Sequence, residues 1–301
     1  MDDNHSAKNL ALAWGILIGL ALVWGSSFIL IKRGLDCFSV TEVGALRISI
    51  TFIFLSPIAI TRLKKIQLRE WKLLSMVGLI GSGLPAFLFA KAQTGIDSSL
   101  AGILNSLTPL FTLIIGLIFF SYRTKWFNIA GVITGLIGAI GLISISGGRS
   151  FEFNFQYALY IIVATICYAI NVNLVKYKLP KTDAVTITAI SFFIIGWPVI
   201  LYLLFFTGFL HKVTSDPGAL RGLGYIAILA VIGTGMALIA FNKLVKMASP
   251  VFAASVTYLS PIVAVLWGAL DHEKFSFLAF LWMAVILAGI FLVNKKKLTL
   301  H

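Results

Sequence analysis

Gly78 to Pro109 reads GLIGSGLPAFLFAKAQTGIDSSLAGILNSLTP, and Ala230 to Pro261 reads AVIGTGMALIAFNKLVKMASPVFAASVTYLSP. The two stretches align without a gap at an offset of 152 residues. Ile80, Gly81, Gly83, Phe89, Lys91, Ala101, Leu107 and Pro109 meet identical residues at Ile232, Gly233, Gly235, Phe241, Lys243, Ala253, Leu259 and Pro261. An offset of about half the 301-residue chain is the mark of an internal duplication. The chain is therefore read as two copies of one unit, 1–149 and 150–301.

Composition sets the class. Hydrophobic residues fill 59% of the positions and charged residues 12%, against about a quarter charged in a soluble domain. This is the balance of an all-α, multi-pass membrane protein, with the bilayer as its surroundings. The net charge of +13 falls between apolar runs, so it answers to lipid and topology rather than to nucleic acid. Cys37 and Cys167 offer neither a disulfide framework nor a zinc spacing. No cofactor or metal motif is present, and no P-loop, catalytic carboxylate pair or nucleophile–base set suggests an enzyme.

About 20 apolar residues cross a bilayer. On that measure ten spans are expected, near 10–31, 41–61, 71–92, 98–120 and 126–146, then 156–176, 185–207, 222–247, 251–270 and 275–294. The first is too long for a signal peptide and lacks a small-residue cleavage site. The longest connection is expected over Gly208–Arg221. Sixteen Lys and Arg fall on the side holding both termini and seven on the other, which places both termini in the cytoplasm. Five spans per half is an odd number, so the second copy enters the membrane inverted. Inverted repeats that share a midplane site at their interface are an architecture of secondary transporters.

Several patterns point to that interface. Trp24, Gly25, Ser26, Ser27 and Phe28 of the first span match Tyr168, Ala169, Ile170, Asn171 and Val172 of the sixth at an offset of 144. In the fourth span Ser98, Ala101, Asn105, Thr108 and Thr112 share one helical face. The matching face of the ninth holds Thr257 and Ser260, with Tyr258 beside it. Such stripes must face protein or water, because lipid supplies no partners. Interhelical hydrogen bonding and a shared polar cavity both satisfy that condition. Phe89 and Phe241 are either core aromatics or cavity walls. Gly81, Gly83 and Pro85, with Gly233 and Gly235, mark bendable helices at matching positions. Pro109 and Pro261 each free a carbonyl one turn back.

Gly15, Gly19 and Ser26 form a small-residue face suited to close packing, and Gly131, Gly135, Gly138 and Gly141 form another, facing a neighbouring helix or a second protomer. Monomer and homodimer are both open. Arg47 is the one charge set inside a span; it either snorkels outward or meets a substrate carboxylate.

Trp24-Gly25-Ser26-Ser27-Phe28 with Lys32, Leu107-Thr108-Pro109, Leu259-Ser260-Pro261, Gly268, Glu273 and Ala288-Gly289 occur in an order that resembles the EamA-type group of the drug/metabolite transporter superfamily. The resemblance covers essentially the whole chain. It implies ten helices in two five-helix halves, the first and sixth beside a central cavity, in a bacterial inner membrane. It further implies export of small metabolites such as amino acids or related amphipathic compounds. In that group the glutamate closing the ninth helix usually has a partner closing the fourth; here Ser121 stands opposite Glu273.

The expected substrate contacts are Trp24, Ser27, Arg47, Phe89, Asn105, Thr108, Tyr168, Asn171, Phe241, Thr257 and Tyr258. The alternatives are an exchanger or importer of a phosphorylated or nucleotide-linked metabolite, and a membrane receptor or scaffold. Transport is either facilitative or coupled to protonation of Glu273 at the outer rim.

Overall fold

The computed structural model describes residues 2–96, 98–146, 155–260, 262–263 and 277–294. Pro261, Glu273 and the expected boundary at 149/150 lie outside them. The described residues form helices and no strand.

In the first half α1 (Asp2–Gly25) and α2 (Ser27–Leu35) make one span broken at Ser26, followed by α3 (Val40–Arg62). α4 (Leu68–Gly78) passes through a π-helical turn (Leu79–Gly83) into α5 (Leu84–Ala92). α6 (Ser98–Asn105), α7 (Thr108–Phe119) and α8 (Trp126–Ser146) complete the half. The second half begins with α9 (Phe155–Lys178), α10 (Ala184–Phe206) and a short α11 (Phe209–Ser215). α12 (Ala219–Ala230) passes through another π-helical turn (Val231–Met236) into α13 (Ala237–Met247). α14 (Pro250–Ala254), a further helical stretch over 256–260, and α15 (Phe277–Asn294) follow. The segment Gly208–Arg221 is therefore not a plain loop, since α11 lies within it.

Six described stretches are long and apolar enough to cross a bilayer: Leu10–Leu35, Val40–Arg62, Leu68–Ala92, Phe155–Lys178, Ala184–Phe206 and Ala219–Met247. Four shorter apolar helices, Thr108–Phe119, Trp126–Gly141, Pro250–Ser260 and Phe280–Val293, lie where the fourth, fifth, ninth and tenth spans are expected. Large apolar side chains face outward along these helices, among them Ile18, Ile53, Ile118, Phe119, Phe205 and Phe291. In water such a surface would aggregate; in lipid it costs nothing.

The two π turns occupy matching places, since Leu79–Gly83 shifted by 152 becomes residues 231–235. The contacts exchange in pairs as well. α3 packs on α10, α8 on α15 and α7 on α14; the first span packs on α12 and α13 while its counterpart α9 packs on α4 and α5. Even the helix starts correspond. Ser39 caps α3 in a capping box with Glu42, and Asp183, 144 residues on, caps α10 through Thr186. Each start is held by a cation: Lys212 Nζ lies 2.7 Å from Glu42, and Arg62 Nη1 lies 2.7 Å from Asp183. Burial pushes the Asp183 carboxyl up, but hydrogen bonds from Thr186 and the Arg62 guanidinium outweigh it and hold it below the usual carboxylate range.

The glycine ridge of α8 is used within the chain. A Cβ at Gly131 would sit 2.7 Å from the Val293 backbone nitrogen, and one at Gly138 would sit 2.8 Å from that of Ile286. The α15 backbone thus fills the groove that the small residues open. The first span differs: a Cβ at Gly15 or Gly19 would meet nothing within 4 Å, so those glycines do not form the packing face expected of them. They point outward, opposite the buried Leu17 and Ala21.

Gly138→Leu should therefore lower the thermal midpoint of the purified protein, by an overpacking penalty of about 1–3 kcal/mol. Gly19→Leu should leave the midpoint within experimental error. Equal sensitivity at the two positions, read by thermal unfolding, would contradict this packing.

Candidate functional site

Both halves contribute to one central cavity. Its volume is about 90 Å³. Trp24, Ser27, Phe28 and Ile31 line it from the first span, Arg47 from α3, and Gly81, Ser82 and Phe89 from the third. Asn105 and Thr108 complete the first half's share. The second half supplies Tyr168, Asn171 and Val172, then Gly233, Leu238 and Phe241, then Ala254, Val256 and Thr257.

The walls follow from the duplication. Trp24 and Phe241 have ring centroids 5.1 Å apart, and their counterparts Tyr168 and Phe89 lie 6.0 Å apart. Each aromatic pair joins the first span of one half to the third span of the other. The π turns do the same. A Cβ at Gly81 would fall 2.6 Å from Asn171 Cγ, and one at Gly233 would fall 3.0 Å from Ser27 Oγ. Asn171 and Ser27 are themselves counterparts. At both positions a polar side chain of the opposite half sits where a Cβ would go, most tightly at Gly81.

The polar groups divide into donors and acceptors. Ser27 Oγ donates to Val23 O (2.8 Å), Thr108 Oγ1 to Asn105 O (2.7 Å) and Thr257 Oγ1 to Ala254 O (3.1 Å). With those protons committed, these hydroxyls offer lone pairs to the cavity. Thr108 also answers the question posed by Pro109, because Asn105 O is the carbonyl that the proline leaves without a backbone donor. Asn171 is 5% exposed, and its Oδ1 has no hydrogen-bond partner among the described residues.

Arg47 does not snorkel out. Its Nε donates to Thr234 Oγ1 at 2.8 Å, and Thr234 lies in the second π turn. No described carboxylate pairs with Arg47, and its terminal nitrogens have no hydrogen-bond partner among the described residues.

Residues 11–144 and 156–295 each match the model of the EamA-like transporter family. The chain belongs to that family. It is a membrane transporter, not an enzyme, and its partners are the bilayer and a small-molecule substrate. It is 26% identical over 298 residues to an inner membrane transporter of Escherichia coli strain K12, YedA, described as uncharacterized; the match covers 96% of this chain and 93% of the relative. A probable amino-acid metabolite efflux pump of Salmonella typhimurium strain LT2 is 26% identical over 219 residues, covering 71% of this chain and 72% of the pump. A solved crystal structure superposes with a TM-score of 0.71 at 17% identity, covering 94% of this chain and 96% of the other.

Within this EamA-like chain the cavity gathers ten of the eleven expected contact residues. Tyr258 is placed elsewhere. One residue beyond Thr257, it points about 100° around the helix, where it is fully buried against Gly135 and donates its hydroxyl to Val132 O at 2.9 Å. Gly81, Gly83, Gly233 and Gly235 lie in π turns that keep the helix continuous, so the third and eighth spans widen rather than break. Pro85 lies in the first turn of α5, and Pro109 in the first turn of α7 after a break at residues 106–107.

The apolar lining of Phe28, Ile31, Leu238 and Val256 was absent from the expected set, because apolar residues in a membrane span carry no signal of which neighbour they face. Ser121, opposite Glu273 in the family pattern, takes a left-handed conformation (φ 50°) that ends α7, with the Tyr122 N–H reaching Gly116 O at 3.0 Å.

Asn105→Leu and Thr257→Leu should each cut flux at least tenfold in proteoliposomes while the protein still purifies as a folded species. Tyr258→Phe should retain flux and lose about 1 kcal/mol of stability with its hydrogen bond. Full transport by both leucine variants would reduce these two residues to packing.

Proposed function

We propose that this protein is a secondary transporter that exports amino acids or related amphipathic compounds by alternating access. One observation carries the reading: a cavity at the interface of the two repeats, walled by corresponding aromatic pairs and polar groups from both. A site shared in this way suits two inverted bundles that rock about it. The apolar walls and few polar groups suit a small amphipathic ligand. Amino-acid cargo and outward direction draw on the name of the Salmonella relative and on the family; YedA supports an inner-membrane location. Both termini are proposed to be cytoplasmic, on the Lys and Arg bias.

A phosphorylated substrate is the weaker reading. Such ligands are held by clustered Lys and Arg, and Arg47 is the one cation among the residues lining the cavity. Among the described residues, the lining contains no carboxylate or histidine to carry a proton through the cavity. We therefore favour facilitated efflux or exchange. The buried Glu42 does not alter this, because it caps α3 and is paired with Lys212 away from the lining.

Orientation is tested in a cysteine-free background. Cysteine at position 68 should react with impermeant maleimide only from the cytoplasm, and cysteine at position 210 only from outside. Reversed labelling would invert the topology.

Coupling is tested by counterflow and net efflux with and without an imposed pH gradient. Exchange should be independent of the gradient. Accumulation of substrate against its own concentration difference, driven by protons, would overturn the facilitative mechanism; its loss in Glu273→Gln would then locate the coupling.

A further inference from the structure

We infer that the substrate is a net monoanion: a single carboxylate, an aromatic or apolar body, and a neutral hydrogen-bond donor in place of a free ammonium group. The inference rests on the transport reading and narrows its substrate class.

Three observations carry it. First, Arg47 lines the cavity with its terminal nitrogens unpartnered among the described residues, while Nε is fixed by Thr234. A guanidinium anchored at one nitrogen presents the other two as a fork, the geometry that binds a carboxylate. Second, the charge is single. The counterpart of Arg47 at the 144-residue offset is Ser191, whose hydroxyl is committed to Leu74 O at 2.9 Å. A cavity otherwise built from matching halves therefore has a cationic side and a neutral side, which orients a ligand with one anionic end.

Third, the other polar groups of the lining are neutral and include acceptors. Asn171 Oδ1 is buried without a partner, and the hydroxyl oxygens of Ser27 and Thr257 have spent their protons on backbone carbonyls. These groups accept from an amide N–H or a hydroxyl. A zwitterion would pair its carboxylate with Arg47 and leave its ammonium in a low-dielectric site with acceptors but no counter-ion among the described lining residues. A monoanion neutralises the cavity. Its apolar body would meet the aromatic walls formed by the Trp24–Phe241 and Phe89–Tyr168 pairs.

The test is a series on one aromatic skeleton. N-acetyl-L-phenylalanine, 3-phenyllactate, L-phenylalanine, L-phenylalaninamide and N-acetyl-L-phenylalaninamide are compared by thermal stabilisation of the purified full-length protein and by counterflow in proteoliposomes. The first two should bind and exchange at least tenfold better than L-phenylalanine, and the two amides should be inactive. Arg47→Gln should abolish the preference for N-acetyl-L-phenylalanine over its amide, and Arg47→Lys should restore part of it. The wild-type series decides the matter even if the Arg47 variants do not fold.

Phenylalanine acting as well as its N-acetyl derivative would overturn the inference and leave transport intact. So would an Arg47→Gln protein that still prefers the carboxylate. Absence of binding and flux for this series and for a broad metabolite panel, with folded protein, would overturn the transport reading together with it.

Discussion

Every main-chain polar group inside a bilayer must find a partner within the protein, and the two π turns are where that demand is hardest to meet. A π turn replaces the regular i→i−4 ladder with wider bonds. In the second half the displaced carbonyls are taken by side chains. Thr234 Oγ1 reaches Leu229 O at 2.9 Å, Thr51 Oγ1 reaches Ala230 O at 2.9 Å, and Trp24 Nε1 reaches Gly233 O at 2.9 Å. Two of these three donors come from the other half. The widened turn is thus completed across the repeat interface, and the residues that complete it adjoin or line the cavity. Thr234 in turn anchors Arg47. Backbone satisfaction, the joint between repeats and the placement of the single cavity charge are one connected arrangement.

Much of this was legible because duplication turns a weak signal into a paired one. A Gly-x-Gly in one apolar span says little; the same motif 152 residues later, beside an aligned Phe, marks positions under the same constraint. Trp24 with Tyr168, and Phe89 with Phe241, were paired in sequence by offset, and the structure sets them against one another in the crossed sense. Arg47 stood out by charge alone. What escaped was directional. Tyr258 and Thr257 are neighbours in the chain, and only the break at Ser255 and the course of the helix decide which of them faces the cavity. Gly15 and Gly19 look like a packing face until the opposite side of the helix, with Leu17 and Ala21, is seen to be the buried one. Bounds were legible where caps are polar, as at Ser39 and Asp183. The π turns were not, because their composition also fits a kink or a break.

The halves are related but not equivalent, and besides Arg47 and Ser191 they differ at one end. Lys176 Nζ donates to Lys246 O (2.9 Å) and Ala248 O (2.6 Å), while Lys246 Nζ donates to Leu179 O (2.7 Å) and Pro180 O (3.1 Å). Each lysine thus satisfies carbonyls at or just beyond the C-terminus of the other's helix, where the backbone dipole favours a cation. The counterparts of these residues are Lys32 and Thr94. Lys32 is exposed, and Thr94 Oγ1 bonds to Lys91 O in its own chain segment. Among the described residues no such clasp joins α2 to α5.

The cavity lining extends along that unclasped side through Phe28, Ile31 and Phe89. A pair of halves with one clasped end and one open end is an arrangement that two-fold symmetry would allow in the opposite sense. Hydrogen bonds from charged donors are worth about 1.5–3 kcal/mol each, so the clasp stabilises the contact at this end. Substituting threonine for lysine at position 94 removes one reciprocal donor from the opposite end.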